Sequence, residues 1–239
     1  IGTASEPIVF TSILDNIEVG QTSGSNLRIQ DRNLWGGVII LGIAPCSFQG
    51  NAEQELIEGL PENSGYGLYG GNNPEDNSGH IEYVSIRHGG AEIGEGNEIN
   101  GLTLGGVGRG TTIRNIEVVA NLDDGIEWFG GTVDSSNVIV WGCGDDAFDI
   151  DQAYAGTISN GIIVQTSVSD HALEIDGPEG DMQDDFEITN VTVFNDNDTG
   201  TGANFGNREF AQFRDGARGS FSNVLFLNAP ALTGPSSII

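Results

Sequence analysis

One short phrase, an Asn leading into a strand of alternating apolar residues, is written five times along this chain. It reads Arg114-Asn115-Ile116-Glu117-Val118, Ser136-Asn137-Val138-Ile139-Val140, Ser159-Asn160-Gly161-Ile162-Ile163, Thr189-Asn190-Val191-Thr192-Val193 and Ser222-Asn223-Val224-Leu225-Phe226. The asparagines stand 22, 23, 30 and 33 residues apart, a beat that stretches only by insertion. A second phrase falls between the first ones, as Asp124-Gly125-Ile126-Glu127-Trp128, Asp146-Ala147-Phe148-Asp149-Ile150 and His171-Ala172-Leu173-Glu174-Ile175. Two strands per turn of 22 or more residues predict a right-handed parallel β-helix, an all-β solenoid of about seven coils with loop insertions. The 37 Gly among 239 residues suit its many tight corners, and no window carries a sustained helical period.

The reading along the chain is a first coil from Pro7-Ile8-Val9-Phe10 to Val38-Ile39-Ile40-Leu41, then a Gly/Asn/Pro/Glu-rich loop over about 50–79. A second coil pairs Ile81–Ile86 with Gly101–Leu104, and insertions interrupt the later coils at about 177–186 and 195–207. Pro230 and Pro235 mark a frayed exit. No capping segment precedes Pro7, so residues 1–239 are expected to be one β-helix domain, a processed piece of a longer chain lacking its N-terminal cap.

Alternation fixes the faces. Ile126/Trp128, Phe148/Ile150 and Leu173/Ile175 point inward and stack, which sends Glu127, Asp149 and Glu174 outward in a solvent-facing column. Neighbouring strands lie about 4.8 Å apart, so these carboxylates meet like charges unless water, protons or a cation intervene. The column, or the loop acids Asp181, Asp184 and Asp185, is therefore a candidate Ca²⁺ site, although no calcium-roll or EF-hand spacing appears and no cofactor is required. The asparagines are expected to form an amide ladder from coil to coil.

Charge narrows the partners. Thirty-five acids face eight bases, all Arg, for a net charge of −27. Such a surface repels nucleic acid, anionic membranes and acidic polysaccharides. No apolar run is long enough to span a membrane. Cys46 and Cys143 are too few for a disulfide scaffold and are expected to stay free thiols, and the composition suits a secreted bacterial protein.

Several long stretches carry a resemblance: Trp35-Gly36-Gly37-Val38-Ile39-Ile40-Leu41-Gly42, Tyr69-Gly70-Gly71-Asn72-Asn73-Pro74, Tyr83-Val84-Ser85-Ile86-Arg87-His88-Gly89-Gly90 and Asp123-Asp124-Gly125-Ile126-Glu127-Trp128-Phe129-Gly130-Gly131. They resemble a family of secreted or lipid-anchored right-handed β-helix proteins of marine and environmental bacteria. That resemblance implies the fold and an extracellular or outer-surface location, with a largely unassigned function. Asn121-Leu122-Asp123-Asp124, Gly144-Asp145-Asp146 and Asp170-His171-Ala172 are similar to motifs of the polygalacturonase-like glycoside hydrolases. This second resemblance implies an inverting hydrolase with Asp146 as acid, Asp124 or Asp145 as base and His171 tuning the pair. Ala172 stands where that family has Gly, no Lys exists for its Arg-x-Lys motif, and Asp-Asp is also an ordinary turn device. The leading expectation is a cell-surface or secreted β-helix that binds a neutral polysaccharide or another copy of itself, through Trp141, Tyr154, Tyr66 and Tyr69. An inverting glycoside hydrolase and a filament subunit are the alternatives.

Overall fold

The computed structural model describes residues 1–61, 65–92, 99–196 and 210–228. Its strands are β1 (Ile8–Phe10), β2 (Val38–Leu41), β3 (Glu55–Leu56), β4 (Leu68–Tyr69), β5 (His80–Arg87), β6 (Leu102–Gly105), β7 (Thr112–Val119) and β8 (Ile126–Phe129). They continue with β9 (Ser135–Trp141), β10 (Phe148–Asp151), β11 (Thr157–Gln165), β12 (Leu173–Ile175), β13 (Phe186–Asn195), β14 (Ala211–Phe213) and β15 (Gly219–Leu227). Seven strands form one sheet in the order β1-β5-β7-β9-β11-β13-β15, and six form a second in the order β14-β12-β10-β8-β6-β2. Every pair within these two sheets is parallel, and the chain alternates between them coil after coil. Parallel neighbours need a crossover, and here the other sheet supplies it. The fold is a parallel β-helix. Among the described residues the only helical turn is a 3₁₀ turn at Gln49–Asn51.

The repeated phrases sit where alternation places them. In the six-stranded sheet Leu102, Ile126, Phe148, Leu173 and Ala211 stack inward, as do Leu104, Trp128, Ile150, Ile175 and Phe213. Trp128 meets Phe148 edge-on at 5.5 Å and donates its Nε1 proton to Ser135 Oγ, so its one polar atom is satisfied in the core. The other sheet closes the core with Ile116, Val138 and Val191, then Val118, Val140, Ile163 and Val193.

The asparagine ladder exists, but inside the long strands and not in turns. Nδ2 of Asn137, Asn160, Asn190 and Asn223 each donates to Oδ1 of the preceding Asn, at 3.1, 3.2, 3.2 and 2.8 Å. All five take left-handed backbone angles, φ from 53° to 59°. One left-handed residue bends a strand and resets its alternation: Ser135 and Val138, three apart, both face inward in β9. Asn tolerates that conformation better than other residues carrying a Cβ. Tyr83 occupies the equivalent place in β5, at φ 51°.

Both cysteines are free, Cys143 buried and Cys46 half-buried. Burial pushes each thiol up to about 12. The expected insertion at 195–207 and the frayed exit at Pro230 and Pro235 lie largely or wholly outside the described residues.

Candidate functional site

The outer face of the six-stranded sheet carries the expected column, in register as Thr103, Glu127, Asp149, Glu174 and Gln212. It does not face solvent. Glu127 is 4% exposed and Asp149 9%. The expectation of an open column fails because the segment between β2 and β5 folds back over this face. Phe48, Ile57 and Tyr69 from that segment pack with Phe129, and against Ile39 and Leu41 on the sheet, as a second apolar cluster. Tyr69 donates to Gln152 Oε1 at 2.9 Å, and Gln152 Nε2 donates to Glu179 Oε1 at 2.9 Å.

A second loop completes the cover. Asn51 Nδ2 donates to Asp181 Oδ2 and Asp181 N donates to Asn51 Oδ1, both at 2.8 Å. Ser47 Oγ donates to the Met182 carbonyl at 2.9 Å. Asp181 thus clasps two loops together. Asp185 pairs with Arg218 at 3.0 Å, and Asp184 lies exposed with its Oδ1 accepting the Asp185 N–H. These three acids form no joint cluster among the described residues.

Asp124, Asp146 and His171 share one column at the turn that enters the sheet. Asp124 Oδ1 accepts the Asp146 N–H at 2.9 Å, and Asp146 Oδ1 accepts the His171 N–H at 2.5 Å. Each carboxylate therefore caps the turn of the next coil. The same Asp146 oxygen lies 3.1 Å from His171 Nδ1. Asp145, beside them, is exposed. The position after the capping residue is Gly101, Gly125, Ala147 and Ala172 in turn, because it is crowded: a Cβ on Gly125 would meet Val140 Cγ1 at 2.4 Å and the Ala147 carbonyl at 2.6 Å. Ala172, where the hydrolases have Gly, belongs to this packing column.

The acids on this face repel one another, and burial deepens the effect. Asp124, Glu127 and Asp149 are held well above the usual carboxylate range, first by desolvation and then by neighbouring carboxylates, Asp149 acting on the first two. Burial and the Asp176 charge raise Asp151 to about 7. Burial and a hydrogen bond with Asp146 raise Glu174 to about 8. Among the described residues Arg214 supplies counter-charge at this end: its Nε and Nη2 lie 2.6 and 2.7 Å from the two Asp176 oxygens, with Nη2 also 2.7 Å from Glu174. One ligand atom each of Asp124, Glu127 and Asp149 falls within 4.8 Å of the others, and so does one each of Asp146, His171 and Glu174.

The four aromatic residues expected to contact a ligand divide. Tyr66 is 78% exposed and Trp141 42%. Tyr69 and Tyr154 are buried, Tyr154 donating to the Val133 carbonyl at 2.7 Å, so neither can stack on a sugar. Around Trp141 lies a surface that the sequence reading passed over. On the outer face of the seven-stranded sheet, Ile139, Ile162, Thr192 and Leu225 form one column and Trp141, Val164, Phe194 and Leu227 the next. None is charged. The signal was present in the same alternation, since the outward positions of the repeated phrase are apolar in β9 and β11. At the N-terminal edge of this face the 11–33 excursion folds over Arg87 and Glu117. It leaves a pocket of about 330 Å³ lined by Leu27, Arg28, Ile29, His88, Val119 and Trp141.

No helix among the described residues is long and apolar enough to cross a membrane. No curated protein and no solved structure gives a match to the chain. A family model described as a pectate-lyase-like β-helix domain matches residues 1–232, nearly the whole length and a span that contains every strand of the two sheets. The chain belongs to the pectate-lyase-like β-helix domain family.

Proposed function

We propose that this β-helix works outside the cell as a carbohydrate-binding protein that lays a neutral polysaccharide along the outer face of its seven-stranded sheet. The observation that carries this is the uncharged double column around Trp141 on a chain of net charge −27. Four rungs, from β9 to β15, give a flat strip about 14 Å long, suited to the apolar faces of successive sugar rings. Trp141 and Phe194 stand in one column two rungs apart, and the Trp141 end opens into the 330 Å³ pocket, where a chain end can enter. A neutral ligand escapes the long-range repulsion that an acidic polymer meets.

Hydrolysis is less well supported. Asp124 and Asp146 each hold a backbone N–H, and oxygens of the acid Asp146 and its candidate base Asp145 lie within 4.8 Å. An inverting hydrolase needs its carboxyl groups about 6.5–9.5 Å apart to admit a water.

Affinity electrophoresis and calorimetry against a panel of neutral polysaccharides test the proposal. Trp141→Ala is expected to weaken the best binder by about tenfold and Phe194→Ala by less, since exposed aromatic anchors carry most of such interfaces. Binding that survives both substitutions, or release of reducing sugar abolished by Asp146→Asn, overturns it. Self-association that these two substitutions abolish, with no sugar bound, also overturns it.

A further inference from the structure

We propose that Asn100, Asp124, Glu127 and Asp149 form a Ca²⁺ site enclosed between the six-stranded sheet and the segment that folds over it. Three carboxylates from two adjacent coils place an oxygen each within 4.8 Å of one another, all three buried. No Arg or His forms an ion pair with any of them among the described residues. Burial of such a group is strongly unfavourable unless protons or a cation neutralise it.

Two independent details favour a cation. Asn100, 1% exposed, donates its Nδ2 proton to Glu127 Oε2, which turns its amide onto the cluster. Its Oδ1 is buried without a hydrogen-bond partner. Asp149 Oδ1 is likewise buried without a partner. A proton shared among the carboxyl groups supplies one O–H donor and so meets one of these two oxygens at a time. A metal takes up both. Every donor is oxygen, which selects a hard cation. A mostly protein-built cage suits Ca²⁺ better than Mg²⁺, because Mg²⁺ retains several of its waters.

The position gives the ion a task. Glu58, on the covering segment, adds its charge to the fields at Glu127 and Asp151. Without a cation, the cover and the sheet meet acid to acid at this point. With one, the same acids hold the cover down. The site is independent of the polysaccharide face, which lies on the other sheet, so the failure of one proposal leaves the other standing.

Thermal unfolding of the purified chain in chelator and then in millimolar Ca²⁺ provides one test, with sensitised Tb³⁺ emission as a direct binding readout. Ca²⁺ is expected to raise Tm by at least about 5 °C, and Mg²⁺ by less. It should also slow proteolytic nicking between residues 42 and 79. Asp149→Asn and Glu127→Gln relieve repulsion, so in chelator they should melt no lower than the parent while losing about tenfold or more in Ca²⁺ affinity. Asp184→Asn, an exposed acid outside the site, should respond to Ca²⁺ as the parent does. A Tm indifferent to Ca²⁺ together with absent Tb³⁺ emission overturns the proposal. So does a Ca²⁺ response that both Asp149→Asn and Glu127→Gln leave intact, since the ion then sits elsewhere.

Discussion

Asn160 shows how much one side chain does in this fold. Its Nδ2 donates to Asn137 and its Oδ1 accepts from Asn190, both at 3.2 Å, while its backbone holds φ at 59°. Two contributions can be separated by substitution. Asn160→Ala loses both ladder bonds and places an unassisted Cβ residue in the left-handed region. Asn160→Gly loses the bonds but keeps the conformation at little steric cost. The Ala variant is expected to be less stable than the parent by about 2–3 kcal/mol and the Gly variant by about 1 kcal/mol, measured by urea unfolding. Equal losses would mean that the bend contributes nothing. The ladder itself was readable from the repeated Asn. Its place within the strands was not, because the letters of an αL residue inside a strand and of one in a turn are the same.

Among the elements, the stacked strands followed from the sequence and the covering segment did not, for one physical reason. Inward stacking of Ile126 on Phe148 and Leu173 repeats every coil, so period-2 alternation encodes it several times over. The bond from Tyr69 to Gln152 joins residues 83 apart and occurs once. Nothing periodic announces it, so Tyr69 looked like a surface aromatic and the column beneath it looked open. The acidic residues of the candidate site were all visible, and their enclosure was the hidden part. Tyr69→Phe tests how far this single bond anchors the cover. It leaves the Gln152 carbonyl oxygen buried without its donor, an expected loss of about 1–2 kcal/mol in global stability. If the cover opens as a unit, amide exchange over residues 42–61 should quicken more than in the sheet strands. Uniform acceleration across the sheets would show that the segment and the solenoid unfold together.

Across the whole molecule, the charge of −27 and the raised carboxyl groups act in the same direction. In the folded chain Asp151 is raised from 3.8 to about 7 and Glu174 from 4.5 to about 8. The folded state therefore holds these protons more tightly than the unfolded state. The stability they confer is complete below pH 4, falls as pH rises, and is gone above about pH 8. General repulsion among the ionised acids grows over the lower part of the same range. In chelator, Tm is thus expected to decline steadily from pH 5 towards pH 8.5, with added salt flattening the part due to exposed charges. Glu174→Gln removes the higher of these two titrations, so its Tm should fall less steeply than the parent's between pH 6 and 8.5. A parent Tm that stays level or rises across that interval would show that the acidic face is already neutralised in the folded chain, with no proton left to lose.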